Sequence, residues 1–360
     1  MPHRYRSTFP LVLLAALACQ NLATDVTDPL APSLRPAPTG PTYSVLTPPL
    51  LPGYTAFVPG DINVLHQAIG YVNPEGSPSQ WFRLAAVWQA GSGAAPRLLP
   101  GGTSTAARGI SDNGIIAGVH FPAAVLWKPA GSTWDLVVLN EYAEATDVRD
   151  DGSAVGIAFD PQYPSSREDA QPVAWDAAGV MTRLPMPASG QWTGGEAHAI
   201  NAQGDIAGTF EERPSPGYAL IYGALWIREG AGYTPIVMQT GWARGLSDRT
   251  ADGRIIVTAS AMRSAYRHTF TRNPATGVWT SDSVYVDGNA ADVNAAGDFV
   301  GTLPKGTYSG AGYPFLFTAA GTLRKLPLPK TTSGTAGGLS NDGWIAGTIG
   351  GTGVVWKPVP

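Results

Sequence analysis

The sequence predicts an all-β fold, a seven-bladed β-propeller made of four-stranded antiparallel blades. Three observations lead to this prediction. A sequence pattern recurs seven times after residue 43, and its mean period of about 45 residues is typical of propeller blades. The chain contains 44 Gly and 32 Pro among 360 residues, and only 14% of its residues are charged. This composition favours many short strands joined by turns over helices.

Residues 1–18 have the layout of a secretory signal peptide. They begin with the basic residues Arg4 and Arg6, continue with an apolar stretch from Leu11 to Leu17, and end in small residues before Cys19. The apolar stretch is too short to span a bilayer. We therefore predict that residues 1–18 are removed and that the rest of the chain is exported.

Cys19 is the only cysteine of the chain and directly follows the predicted cleavage site. Residues 14–19, Leu-Ala-Ala-Leu-Ala-Cys, resemble the lipobox of bacterial lipoproteins, whose cysteine is acylated and holds the protein on a membrane. Ala16 stands where a lipobox usually has leucine, and Ala16 with Ala18 also forms an ordinary A-x-A site at the same bond. We predict lipidation of Cys19 on the periplasmic or cell-surface side of a membrane, with plain secretion as the alternative.

Residues 19–42 are predicted to form a tether between the lipid and the propeller. They contain five prolines among small and polar residues, and such a segment has little to bury. The propeller domain is predicted to span residues 43–360.

The repeat is approximately A-x-x-I-N-x-x-G-x-x-x-G, followed by an apolar run that ends in an aromatic residue. The seven copies begin at Asp61, Gly109, Asp147, Ala199, Gly245, Asp292 and Gly338. The closing aromatic residues are Trp88, Trp127, Trp175, Trp226, Phe270, Phe317 and Trp356. We expect these aromatic side chains to pack between neighbouring blades, because large aromatic residues mainly contribute buried area.

Each copy is predicted to contain four strands. In the second copy they are residues 108–111, 115–119, 124–127 and 136–140, with a turn at 112–114. Asn-Gly or Asp-Gly pairs stand in four of these turns and supply the positive φ angles that tight hairpins require. The first strands are rich in small residues, as expected nearest the crowded axis of a propeller.

The last copy ends at Pro360 and leaves no residues for its fourth strand. The segment Tyr43–Leu46 precedes the first copy and has the character of a fourth strand. We therefore predict that it completes the seventh blade and closes the ring, which also hides an exposed sheet edge.

Residues 43–360 resemble the HAF-repeat family of bacterial extracellular proteins. The family couples an A-x-G-I-N-x-x-G-x-x-x-G segment to an apolar run with a His-Ala-Phe stretch. Here the triplet survives closely only as His268-Thr269-Phe270, so the resemblance depends on spacing. The family has no agreed activity, and the resemblance implies a fold and an extracellular compartment only.

No specific catalytic motif is present: G-x-S-x-G, H-E-x-x-H, G-x-x-x-x-G-K and C-x-x-C are all missing. The acidic turn around Asp147, Asp150 and Asp151 lacks the ligand alternation of a calcium loop, and a hairpin turn explains it, with a structural ion as the alternative. We predict no catalytic residues, no metal site and no cofactor. The whole chain has a net charge of −4 and the mature chain about −6, which argues against a nucleic-acid partner.

Candidate ligand-binding residues lie on one face of the predicted disc. Loops between second and third strands share this face with the connectors between blades, and they are long and aromatic. Trp192 and Trp242 lie in connectors beside the channel, and Tyr163, Tyr218 and Tyr308 lie in neighbouring loops. An exposed indole there would stack on a sugar or anchor in a partner's pocket. The alternative is that both tryptophans pack between blades.

Two functions fit the sequence. The first is a cell-envelope binding or scaffolding module that recognises an unknown extracellular polymer or protein. The alternative is a propeller enzyme acting on glycans or other extracellular polymers. Missing catalytic motifs favour the first, and a cluster of paired carboxylates in the channel would favour the second.

Overall fold

The computed structural model describes residues 42–359 except 78–81, 163–169, 216–217, 240, 306–311 and 330–331. All described residues lie in one compact unit, Pro32–Pro360. Residues 1–41, with the predicted leader, Cys19 and most of the predicted tether, lie outside the described residues. No helix that could cross a membrane occurs within the described part of the chain.

The described strands form seven four-stranded antiparallel sheets arranged as the blades of a seven-bladed β-propeller, which confirms the predicted fold class. Blade 1 contains β2 (Val58–Ile62), β3 (Gln67–Val72), β4 (Leu84–Gln89) and β5 (Arg97–Leu98). Blade 2 contains β6 (Thr105–Ile110), β7 (Ile116–His120), β8 (Ala123–Ala130) and β9 (Thr133–Glu141). Blade 3 contains β10 (Ala143–Val148), β11 (Ala154–Ala158), β12 (Gln171–Trp175) and β13 (Met181–Arg183). Blade 4 contains β14 (Trp192–Ile200), β15 (Ile206–Ser215), β16 (Tyr218–Glu229) and β17 (Gly232–Met238). Blade 5 contains β18 (Trp242–Leu246), β19 (Ile255–Ala261), β20 (Ser264–Arg272) and β21 (Trp279–Asp287). Blade 6 contains β22 (Asn289–Val293), β23 (Phe299–Pro304), β24 (Gly312–Phe317) and β25 (Leu323–Lys325). Blade 7 contains β26 (Gly334–Leu339), β27 (Ile345–Ile349), β28 (Thr352–Val359) and β1 (Thr42–Leu46).

The ring closes through β1, which is the outer strand of blade 7. It pairs antiparallel with β28, in a register that runs from Thr42 opposite Val359 to Leu46 opposite Val355. Tyr43 packs against the core between blades 6 and 7, and burial raises its pKa to about 12. The predicted closure by an N-terminal strand is therefore confirmed.

The hydrophobic core is divided into seven clusters, one between each pair of neighbouring blades. The closing aromatic residues of the repeat are all buried in these clusters. Several indoles also donate a hydrogen bond to a connector carbonyl, as Trp127 does to Pro100 at 2.7 Å and Trp226 does to Pro185 at 2.8 Å. The repeat thus encodes the contact between blades.

The turns between first and second strands differ from the predicted form. In the second copy Ser111 N–H bonds to Ile115 O, Gly114 N–H bonds to Ser111 O, and only Gly114 has a positive φ, of 87°. The geometry is a type I turn closed by a glycine bulge, so the Asn-Gly pair needs one positive φ rather than two.

One predicted loop of blade 4 is a paired hairpin. The sequence predicts a long loop from Glu211 to Tyr222, but β15 and β16 continue through it and pair Glu212 with Leu220. We call this extension, residues 211–222, the blade 4 arm. Hydrogen bonding between its strands satisfies the backbone, which a loop pattern in the sequence does not reveal.

Candidate functional site

Each first strand carries a β-bulge at the same place. The register against the second strand shifts by one residue, for example between Ala107 and Gly109 in blade 2. We call the extra residues the bulge ring: Gly60, Arg108, Thr146, His198, Arg244, Ala291 and Gly337. All seven line one cavity at the centre of the propeller. A bulge changes the direction of the residue that it adds, and here all seven bulge positions line the central cavity.

The next residue of each first strand forms a second ring. It holds three carboxyl groups, those of Asp61, Asp147 and Asp292, which line the cavities on both sides of it. Asp147 accepts a hydrogen bond from its neighbour Val148 N–H at 2.8 Å and another from Ile200 N–H of blade 4 at 2.8 Å. Asp61 and Asp292 make the same pair of bonds, to blades 2 and 7. Each carboxyl therefore joins two blades, and we call the three the aspartate ring.

These carboxyl groups retain some contact with the channel but are closely surrounded by protein. Burial raises the pKa of Asp147 to about 7 and that of Asp292 to about 6, while the backbone hydrogen bonds act in the opposite direction. Burial also raises the pKa of Asp61 well above its ordinary value, and the charges of Asp292 and Asp147 add to the effect. The aspartate ring thus places weakly acidic groups where the two cavities meet the same three residues.

The cavity on the side of the connectors has a volume of about 680 Å³. We call this side the connector face and the cavity the connector-face cavity. Its wall in blades 2–5 is charged. Arg108 approaches Glu144 at 3.6 Å, and His198 approaches Glu196 at 3.5 Å. Both separations are longer than an ordinary hydrogen bond, and the contact of His198 is ionic only when its ring is protonated.

At the level of the bulge ring, the wall in blades 6, 7 and 1 is small and uncharged, while Asp61, Asp292 and Tyr71 also line this side of the cavity. Its bulge-ring positions are Ala291, Gly337 and Gly60. A Cβ atom added to Gly60 would meet no atom within 4 Å, and Gly60 does not have a positive φ. One half of the connector-face cavity therefore offers charged groups and the other half offers space.

The opposite face has a second cavity, of about 350 Å³, between the turns of first and second strands. Its wall is acidic, with Asp112, Asp150, Asp151 and Asp248, and contains Arg149. Asp112 and Asp248 accept hydrogen bonds from backbone N–H groups of the preceding blades. Among the residues that the structure describes, no three His, Cys, Asp or Glu side chains are placed to hold a metal ion. The acidic turns serve contacts between blades.

The structure separates the two predicted tryptophans. Trp192 is half-buried in the core between blades 3 and 4, with its ring 5.4 Å from the rings of both Phe210 and Tyr222. Trp242 is 43% exposed. It occupies the strand position of blade 5 that Glu144 and Glu196 occupy in blades 3 and 4, two residues before a bulge-ring residue.

Of the three predicted tyrosines, only Tyr218 belongs to the part of the chain that the structure describes. Tyr218 lies on the blade 4 arm with its side chain 57% exposed and does not line the cavity. Tyr163 and Tyr308 lie outside the described residues.

The charged residues of the cavity were not singled out by sequence motifs. A signal for them exists, because a large polar residue stands between two small ones in three first strands. These segments are Ala107-Arg108-Gly109, Ala197-His198-Ala199 and Ala243-Arg244-Gly245. The bulge turns the middle residue into the channel, and a plain alternation of strand residues does not predict that.

The fold resembles solved propellers at identities that bear on the fold alone. The Dos1 propeller aligns with a TM-score of 0.50 and 9% identity, over 87% of this chain and 95% of that chain. An ancestral GH74 enzyme aligns at 0.45 and 12%, over 86% and 55% of the two chains, and TolB from Acinetobacter baumannii at 0.39 and 15%, over 74% and 67%. No protein-family model and no curated protein matches the chain.

Proposed function

We propose that the protein is an exported, lipid-anchored binding module of the cell envelope, which holds an extracellular polymer or protein in the connector-face cavity. The observation that carries the proposal is a cavity of about 680 Å³ with convergent charged groups in a rigid ring. Pockets of this size with a few placed polar groups are typical ligand sites. Membership of the HAF-repeat family, with its extracellular compartment, belongs to the same proposal.

The lipid anchor has a direct test. Cells that express the full chain are fed a labelled fatty acid, and the protein is followed by fractionation. The parent is expected to take up the label and stay with membranes, whereas Cys19→Ala is expected to take up none. A parent chain that is unlabelled and free in the medium would contradict the anchor and favour plain secretion.

Binding at the cavity is tested by site-specific photo-crosslinking in intact cells. A photoreactive phenylalanine derivative at Gly60 points into the open half of the cavity, since a Cβ there meets no atom within 4 Å. The same group at Ser281, exposed on the outer strand β21, is the control. We expect a specific adduct from position 60 only. Equal yields at both positions, or no adduct at 60, would contradict a binding role for this cavity.

A glycan-active enzyme is the second candidate. The observation that favours it is the presence of channel carboxyl groups with raised pKa values, Asp147 and Asp292, below Glu144 and Glu196. Glycosidases use one protonated and one ionised carboxyl group. Release of reducing ends from a polysaccharide mixture by the parent, and its loss in Glu144→Gln or Glu196→Gln, would support the enzyme.

A further inference from the structure

The two unlike halves of the connector-face cavity indicate what kind of ligand enters it. We propose that the bound group is an uncharged sugar unit at the end of a glycan, which sits against the small wall and directs its hydroxyl groups to the charged wall. This inference rests on the proposed binding function and adds its ligand class.

The cavity holds charged groups of both signs, and this disfavours a strongly charged ligand of either sign. Arg108 and Arg244 line the cavity together with Glu144 and Glu196, and the raised pKa values of the aspartate ring reduce the negative charge of its three carboxyl groups. An anion is repelled by five carboxyl groups to the extent that they are ionised, and a cation is repelled by both arginines. A neutral ligand is repelled neither by the carboxylates nor by the arginines.

The same side chains favour a ligand that both donates and accepts hydrogen bonds. A guanidinium offers five N–H donors, and a carboxylate offers about four acceptor positions. Arg108 remains 41% exposed beside Glu144, and the contact between them is 3.6 Å long. A sugar hydroxyl can donate to a carboxylate and accept from a guanidinium at the same time, so it suits this alternation of groups.

Trp242 supplies the third element of sugar recognition, an exposed aromatic face. It lies in the same strand as Arg244, two residues earlier, and is 43% exposed. Trp242 itself does not line the cavity, whereas its positional counterparts Glu144 and Glu196 do. The C–H face of a pyranose ring stacks on an indole, and this contact would extend the site from the cavity to the rim.

The space within the cavity fits a short glycan end. A volume of about 680 Å³ lies within the range that holds drug-sized ligands. Gly60, Ala291 and Gly337 leave this space on the side that faces the charged wall. A large side chain at any of the three positions would occupy the volume that the sugar needs.

The test uses the purified full chain in detergent and an array of neutral and acidic oligosaccharides, followed by calorimetric titration of the neutral ones that bind. We expect at least one neutral oligosaccharide to bind. Trp242→Ala and the double change Glu144→Gln with Glu196→Gln are each expected to weaken it by about tenfold or more.

A variant that fills the open half of the cavity tests the binding site without changing its charged residues. Gly60→Phe places a ring in the open half and is expected to abolish binding. Gly232→Phe is the matched control, because Gly232 is exposed on β17 and its added Cβ would meet only Glu229 O, at 4.0 Å. The control is expected to bind like the parent, and circular dichroism checks that both variants fold.

Three outcomes overturn the sugar ligand. They are no binding by any neutral oligosaccharide of the array, binding only of acidic ones, and binding that Gly60→Phe leaves unchanged. If the photo-crosslink from position 60 is a polypeptide, the proposed binding function stands and the sugar inference falls. If position 60 gives no adduct and no oligosaccharide binds, both fail.

Discussion

At the scale of single residues, the aspartate ring combines a structural and an electrostatic role. The two oxygens of Asp147 accept backbone hydrogen bonds from two different blades, Val148 N–H in its own and Ile200 N–H in the next. Burial at this position raises the pKa of Asp147 from 3.8 to about 7. The carboxyl therefore binds a proton more tightly in the folded protein than in the unfolded chain.

Stability is expected to depend on pH through this group. A carboxyl with a raised folded pKa favours the folded state below the unfolded value near 3.8, and this contribution is lost as the pH rises towards 7. His268 acts in the opposite direction, because burial lowers its pKa from 6.5 to about 4, so its contribution is lost as the pH falls through that interval. The two slopes partly cancel in the parent protein.

Asp147→Asn isolates the contribution of the carboxyl. The free energy of unfolding of the variant minus that of the parent is measured by urea denaturation between about pH 4 and pH 8. We expect the variant to lose more stability, relative to the parent, at the acidic end, because only the parent gains from proton binding there. Asp282→Asn on exposed β21 is the control. A difference that is constant with pH would contradict the raised pKa.

At the scale of elements, the first strands explain the glycines of the repeat. The bulge brings the first strand so close to the second that a Cβ at Gly118 would lie 2.2 Å from Ala106 O. A second requirement comes from the neighbouring blade. A Cβ at Gly338 would lie 2.6 Å from Asp61 Cα, and one at Gly109 would lie 2.7 Å from Asp147 Oδ1. An aspartate in one blade therefore needs a glycine in the blade before it.

Gly338→Ala tests this close approach between blades. Neither Gly338 nor Gly60 has a positive φ, so an alanine meets no backbone strain at either position. The added methyl group at 338 overlaps Asp61 and is expected to cost about 1–3 kcal/mol of stability. Gly60→Ala, one residue before Asp61, has open space and is expected to change stability little. Equal denaturation midpoints for the two variants would contradict the crowding.

At the scale of the whole molecule, the ring depends on a contact between its two ends. Blade 7 takes three strands from the C-terminal end of the chain and one, β1, from the N-terminal end. Val45 lies opposite Trp356, whose indole is buried between blades and donates to Pro327 O at 3.0 Å. Without β1, the edge of β28 and part of the adjoining core would meet water.

Deletion of residues 41–50 is expected to lower the melting temperature by about 5 °C or more, since it uncovers this edge. Deletion of residues 22–38, in the predicted tether, is the control and is expected to change it little. Calorimetry of the two truncated chains beside the parent measures the effect. Equal melting temperatures would mean that β1 does not hold the ring closed.

The sequence by itself determined the blade number, the four strands of each blade and the closing strand. It did so because the copies of the repeat share the same local features, which are a turn glycine, a small residue at the axis and an aromatic residue between blades. These features depend on neighbours in sequence or on the next repeat. The last copy supplies three strands to its blade, and β1 from the segment before the first copy supplies the fourth.

Only the tertiary structure decided where the candidate site lies. Trp192 and Trp242 both lie in connectors between blades by sequence, but Trp192 packs on Phe210 whereas Trp242 is exposed. The pairing of Arg108 with Glu144 joins two blades, and nothing in either repeat alone specifies it. The bulges add the deciding factor, because one extra residue per first strand rotates the following side chains. A site assembled from several repeats is a property of the closed ring, whereas each blade is a property of its own sequence.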